Sequence, residues 1–235
     1  MSDRLWLWRY VLISGLLLAS APLHAESPGQ FSLGAKLLSA TWTGENPGGA
    51  DFKSQSGQLG LEAKYQQQRW FGGLTLQGGT FEFDDVPPER YDHATLSGET
   101  VKVKRGEVDL VAGYYVWPRV ALFLDIKNVD NEWVADGYKV EYSGLGLGVS
   151  GYHPVSDSWS FFGSFGLVPM TIKVDGEEIG NATRSALNVG FLYRFATRAN
   201  FTIGLQSQTQ TNDYDDGTEQ TQHLGALVFG VTGTL

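Results

Sequence analysis

The chain has no cysteine among its 235 residues. That excludes disulfides, thiolate metal centres and a thiol nucleophile. It is also poor in histidine, with four in all, of which His24 lies close to the N-terminus and leaves His93, His153 and His223. Basic residues are outnumbered 17 to 26, and an acidic chain is a poor partner for nucleic acid. After residue 26 there is no apolar run near the roughly 18 residues that a membrane helix needs. No stretch there carries a helical period of useful length either. If this chain crosses a membrane, it does so as strands.

One apolar run does exist, from Tyr10 to Ala21, preceded by Arg4 and Arg9 and followed by Leu23-His24-Ala25. It is too short to span a bilayer and reads as a secretory signal peptide, residues 1–25, cut after Ala25. The single remaining domain is 26–235. Cleavage removes Arg4, Arg9 and Asp3, so 17 less two and 26 less one leave 15 basic and 25 acidic residues, a net charge of −10.

What the rest of the chain has is alternation of apolar and polar residues. With a period of two it predicts ten strands, at about 30–43, 56–66, 70–83, 105–117, 119–129, 139–153, 158–173, 183–196, 199–211 and 221–235. Four breaks between them are short: Gln67-Gln68-Arg69, Pro118, Pro154 to Ser158, and Thr197-Arg198. Aromatic residues flank each break: Tyr65, Trp70, Trp117, Tyr152, Trp159, Phe195 and Phe201. Tight turns rimmed by an aromatic girdle are a mark of transmembrane barrels. The other five connections, about 44–55, 84–104, 130–138, 174–182 and 212–220, read as long loops. The expected fold is therefore all-β, an antiparallel up-and-down transmembrane β-barrel of ten strands, with eight as the fallback. Short turns and both chain ends lie on the periplasmic side. A second aromatic belt is expected near the loops, from Trp42, Phe81, Phe83, Trp133, Tyr138 and Tyr142.

On this pattern, and on the glycine-alternating segment Gly144-Leu145-Gly146-Leu147-Gly148-Val149 followed by Tyr152-His153-Pro154 and Trp159, the chain resembles the small outer-membrane β-barrel proteins of the OmpA-like and OmpX-like class. The class usually ends on an aromatic residue, where this chain has Leu235. The resemblance implies residence in the cell outer membrane of a Gram-negative envelope, with lipid and lipopolysaccharide as neighbours. It also implies insertion by the barrel assembly machinery, a monomer, and a non-catalytic role.

The polar phase supplies the candidate interior residues Lys36, Glu62, Lys64, Glu107, Asp109, Arg119, Asp125, Lys127, Arg184 and Arg194. Buried charges need partners. Lys36 is expected beside Glu62, and Asp109 beside Lys127. Paired, they plug the interior; unpaired, they line a narrow channel for small solutes, as in a porin-like barrel. Ten strands barely exceed the eight that side chains fill, so the plugged interior is the expectation. The inward glycines 144, 146 and 148 then leave room for a neighbouring ring.

No cofactor or metal site is expected. The acidic loop Asp213 to Glu219 lacks the spacing of an EF-hand and joins strands. Asp84, Asp85, Asp92, His93, Asp213, Asp215 and Asp216 near one rim raise the remote alternative of a rim-sited hydrolase resembling the omptin-type proteases. His153 and His223 are expected in structural roles, His223 toward Gln206 and Gln208 in the interior. The loop 84–104, stiffened by Pro87-Pro88, is the expected surface-contact element.

Overall fold

The computed structural model describes residues 29–92 and 100–235; the expected signal peptide, residues 1–25, and His93 lie outside the described residues. Ten antiparallel strands form one closed barrel. They are β1 (Gln30–Glu45), β2 (Asp51–Gln67), β3 (Trp70–Phe83), β4 (Val101–Trp117), β5 (Val120–Trp133), β6 (Lys139–Pro154), β7 (Trp159–Val174), β8 (Glu177–Ala196), β9 (Ala199–Tyr214) and β10 (Glu219–Thr234). Each strand pairs with its sequence neighbours, and β1 closes on β10 from Ser32↔Thr234 to Glu45↔Thr221. Closure leaves no free edge for lipid to meet.

The strands run from 14 to 20 residues, well beyond the roughly 9–11 that a tilted strand needs to cross a bilayer. The excess lies at the loop side, so the expected long loops are mostly strand. The loop expected over 174–182 is the two-residue turn Asp175-Gly176, with φ of 52° and 83°. Asp-Gly is the dipeptide that such a hairpin turn requires. Of the connections on this side only the one from β3 to β4 is long.

The extra length has its own packing. Near the turns the outer face is apolar: Leu33 and Leu37, Leu59 and Leu61, Leu122 and Leu124, Leu205 and Val231 are all exposed, Leu59 by 70%. Toward the loops the apolar residues change sides. In β1 Leu38, Ala40 and Trp42 point inward and are buried; in β3 Phe81 and Phe83 do so, and in β7 Val168, Met170 and Ile172. The outer face there carries Thr41 and Thr43, Lys102 and Lys104, Glu141 and Lys173. Each strand thus passes from lipid, where the apolar side faces out, into water, where it must face in.

Of the residues expected in the girdle at the short turns, Tyr65, Trp70, Trp117, Tyr152, Trp159 and Phe195 are exposed and Phe201 is half-buried, with Tyr152 on the inward phase it shares with Tyr142 and Gly148. Trp70 packs on Tyr114 and Trp159 on Tyr193, each at 4.8 Å between ring centroids. The expected second belt is corrected: Trp42, Phe81, Phe83, Trp133 and Tyr142 are at most 3% exposed, inside the barrel. Their strand phase is the inward one, and above the bilayer an aromatic ring gains more from a dry interior than from water.

Candidate functional site

The interior of the loop-side half is filled by two kinds of material. One wall is aromatic: Trp42 meets Phe81 at 5.2 Å, Phe83 at 5.7 Å and Phe52 at 6.1 Å, all edge to face. The facing wall is polar. Glu107 sits at its base, where Lys127 Nζ donates to it at 2.7 Å and also donates to Asp109, the register partner of Lys127. Arg184 Nη1 donates to the other Glu107 oxygen at 3.4 Å, and Arg105 Nη2 lies 3.9 Å from it. Glu107, Lys127, Arg105 and Arg184 are each at most 5% exposed. The carboxylates offset three cations whose desolvation would otherwise be prohibitive.

From there a ladder of amides climbs to the mouth. Arg184 Nε donates to Gln210 at 2.9 Å, Gln210 donates to Asn212 at 2.7 Å, Asn212 to Gln220 at 3.4 Å, and Gln220 to Asn46 at 2.9 Å. Gln222 and Gln208 join from the sides, and Arg105 reaches Asn131 at 2.9 Å. Arg105 also lies 5.2 Å over the Trp42 ring and ties the two walls together. Between rings and amides the upper half holds a packed core.

At the mouth, residues 86–92 lie across the opening as a strap. Asn46 accepts from the Glu89 N–H at 2.7 Å and donates to the Pro87 carbonyl at 2.9 Å. Tyr91 packs on Tyr214 at 5.6 Å. Arg90, 6% exposed, lies 3.8 Å over the Tyr138 ring and donates to Asp92 and to Asp136. Burial pushes the Tyr138 phenol up to about 12, so Arg90 meets a neutral ring.

Arg90 holds the Asp136 carboxyl below the usual aspartate range through their hydrogen bond. A depressed folded-state pKa means the contact is fully present above the usual range and is lost as pH falls through the depressed one. Pepsin is therefore expected to spare the strap of the native chain at the upper end of its working range, above the usual aspartate range, and to cut it at the acid end, below that range, whereas Asp136→Asn is cut at both. Equal cutting of the native chain at these two extremes would contradict the latch.

Of the interior residues expected from sequence, the fold brings together Glu107, Asp109, Lys127 and Arg184. Glu62 pairs instead with Lys64 at 3.1 Å and accepts from Thr232 at 2.9 Å, while Lys36 lies along Gly60, where an added Cβ would stand 2.6 Å from its Cε. Asp125 faces inward below the network, with one buried oxygen free of hydrogen bonds among the described residues. One position is corrected. Arg119 lies in the turn before β5, exposed, 3.4 Å from His153, because the strand phase ends at Pro118. Arg194 keeps the inward phase of Arg184 and is exposed at the turn-side end of β8, below the buried network.

Sequence reasoning missed Arg105 and the glutamine-asparagine ladder, although Arg105 shares the phase of Glu107. His223 is corrected too: it faces outward and bonds Thr209 at 3.0 Å. Gly148 behaves as expected, since a Cβ there would stand 2.1 Å from the Phe123 ring. Asp216 caps its own turn through the Thr218 N–H and hydroxyl, at 2.9 and 2.6 Å. Asp84 accepts from Thr100 at 3.0 Å. Among the described residues no three acidic or histidine side chains are grouped to hold a metal ion.

No protein family matches this sequence, and no curated protein does. Solved structures do match. The outer membrane protease OmpT of Escherichia coli aligns over 92% of this chain and 100% of its own, with a TM-score of 0.57 and 13% identity. An outer membrane channel from Pseudomonas putida F1 aligns over 92% and 100%, at 0.49 and 15%. The translocator domain of the autotransporter NalP from Neisseria meningitidis aligns over 96% and 93%, at 0.48 and 14%. At such identity the likeness to OmpT is one of fold: this chain is a closed ten-strand barrel of the kind found in outer-membrane proteins.

Proposed function

We propose that the chain is an integral outer-membrane barrel with a non-catalytic envelope role, closed to solutes and presenting its loop-side collar and strap for contact with surface partners. The observation that carries this reading is the filled upper interior: an aromatic wall against a hydrogen-bonded polar wall, with the strap across the mouth. Lipid and lipopolysaccharide surround the apolar belt in this reading, and one copy of the chain closes its own sheet.

Reconstitution in planar bilayers tests it. Refolded protein is expected to give no discrete conductance steps at salt concentrations where a general porin conducts. Regular steps that shrink when Lys36 or Lys127 is neutralised would replace this reading with that of a narrow channel.

A further inference from the structure

The lipid-facing wall has one discontinuity. Between β6 and β7 the ladder pairs Gly144 with Met170 and Leu147 with Leu167, and breaks at the two positions between. The break falls at Pro169, which has no N–H to donate and which an uninterrupted central strand excludes. From inside, the Pro169 and Leu167 carbonyls close up on β6: a Cβ at Gly144 or Gly146 would stand 2.1 or 2.3 Å from them. Outside, the wall recedes into an open groove of about 460 Å³ lined by Leu145, Leu147, Val149, Phe165, Leu167 and Pro169. The glycine-alternating segment that marks this chain in sequence is the strand that forms the groove.

We propose that this groove holds one acyl chain of lipid A. It is continuous with the apolar belt, so its occupant is hydrocarbon supplied by the bilayer rather than a solute from water. Leu145 and Pro169 are the last apolar outward residues before Ser143 and Thr171, so the groove opens at the loop-side edge of the belt. The orientation rests on the outer-membrane reading above, and it makes that leaflet the one built from lipopolysaccharide. An ordinary belt surface meets lipid that exchanges freely; a recess bounded by Phe165 on one strand and Leu145 and Leu147 on the next fixes a chain along its length.

Native mass spectrometry of the refolded full chain in dodecyl-maltoside, incubated with purified lipid A or with dipalmitoyl-phosphatidylethanolamine, tests the groove. Leu147→Trp fills it, Pro169→Thr restores the N–H and closes the ladder, and Leu205→Trp places the same bulk elsewhere on the belt. All variants are first checked for folding by heat-modifiable gel migration, and the two groove variants act by unrelated means, so either decides the matter alone. The native chain and Leu205→Trp are expected to retain one lipid A, and the groove variants about tenfold less. Phosphatidylethanolamine, whose acyl chains offer the same hydrocarbon, is expected to be lost from the same two variants, since it is the adjoining leaflet and not the apolar lining that makes lipid A the occupant. Equal retention of lipid A by all four proteins, or no retention of lipid A by the native chain, would overturn the proposal. Failure of the protein to fractionate with the outer membrane would instead sink the orientation while leaving the groove result standing.

Discussion

Glu107→Ala is expected to destabilise the barrel by about 3–5 kcal/mol, measured as the urea unfolding midpoint in detergent micelles. Among the described residues Glu107 is the one buried carboxylate that meets Lys127, Arg184 and Arg105 together, at 2.7, 3.4 and 3.9 Å. Removing it leaves three cations in a dry interior with Asp109, and Asp125 below it, to share. The loss is thus the cost of stranded charge more than of one missing contact. Adding Lys127→Met to Glu107→Ala is expected to recover part of the loss, since it deletes a cation that has lost its partner. A change below about 1 kcal/mol for Glu107→Ala, the scale of an exposed pair, would mean that water reaches the network.

Trp42→Ala is expected to cost about 3–5 kcal/mol in the same measurement, the range for deleting a large buried aromatic side chain. Trp42 is 1% exposed and touches Phe52, Phe81 and Phe83, so its removal leaves a cavity that three rings cannot collapse into without leaving their edge-to-face packing. The outcome separates two pictures of the same residue. As a lipid-facing girdle residue Trp42 would tolerate truncation and its fluorescence would be quenched by brominated lipid. As the centre of an interior core it gives a large loss and no quenching.

That contrast also marks how far the sequence could be read. The ten strands, their closure and the girdle at the turns were legible because strict alternation next to Gln68-Arg69, Pro118 and Thr197-Arg198 has few other solutions. The pairing of Asp109 with Lys127 was legible too, because two short breaks fix the register on either side of it. The upper half was misread because the strand period stays at two when the surroundings change from lipid to water. Only the phase of the apolar residues reverses. The signal was present: adjacent apolar residues Leu37-Leu38, Leu167-Val168 and Ala226-Leu227 stand where the apolar side crosses the wall. Taking the apolar side as the outer one from end to end puts Trp42 on the outside and His223 on the inside, whereas the unbroken parity of Leu33 and Leu37 with Thr41, and of Val231 and Leu227 with His223, places them the other way. The amide ladder from Gln210 to Gln220 was hidden for another reason. Uncharged side chains on the polar phase look the same whether they line water or bond one another.

The absence of native cysteine permits the most direct test, single cysteines labelled by a polyethylene-glycol maleimide too large for general porins. Lys64→Cys lies inside the barrel below the network and Thr209→Cys on the outer collar. In intact cells Thr209→Cys is expected to label rapidly and Lys64→Cys not at all, until the outer membrane is permeabilised and the turn-side mouth of the barrel is exposed. In proteoliposomes with the loop side outward, a small impermeant maleimide is expected to give the same pattern. Labelling of Lys64→Cys from the loop side at the rate of Thr209→Cys would contradict the closed interior.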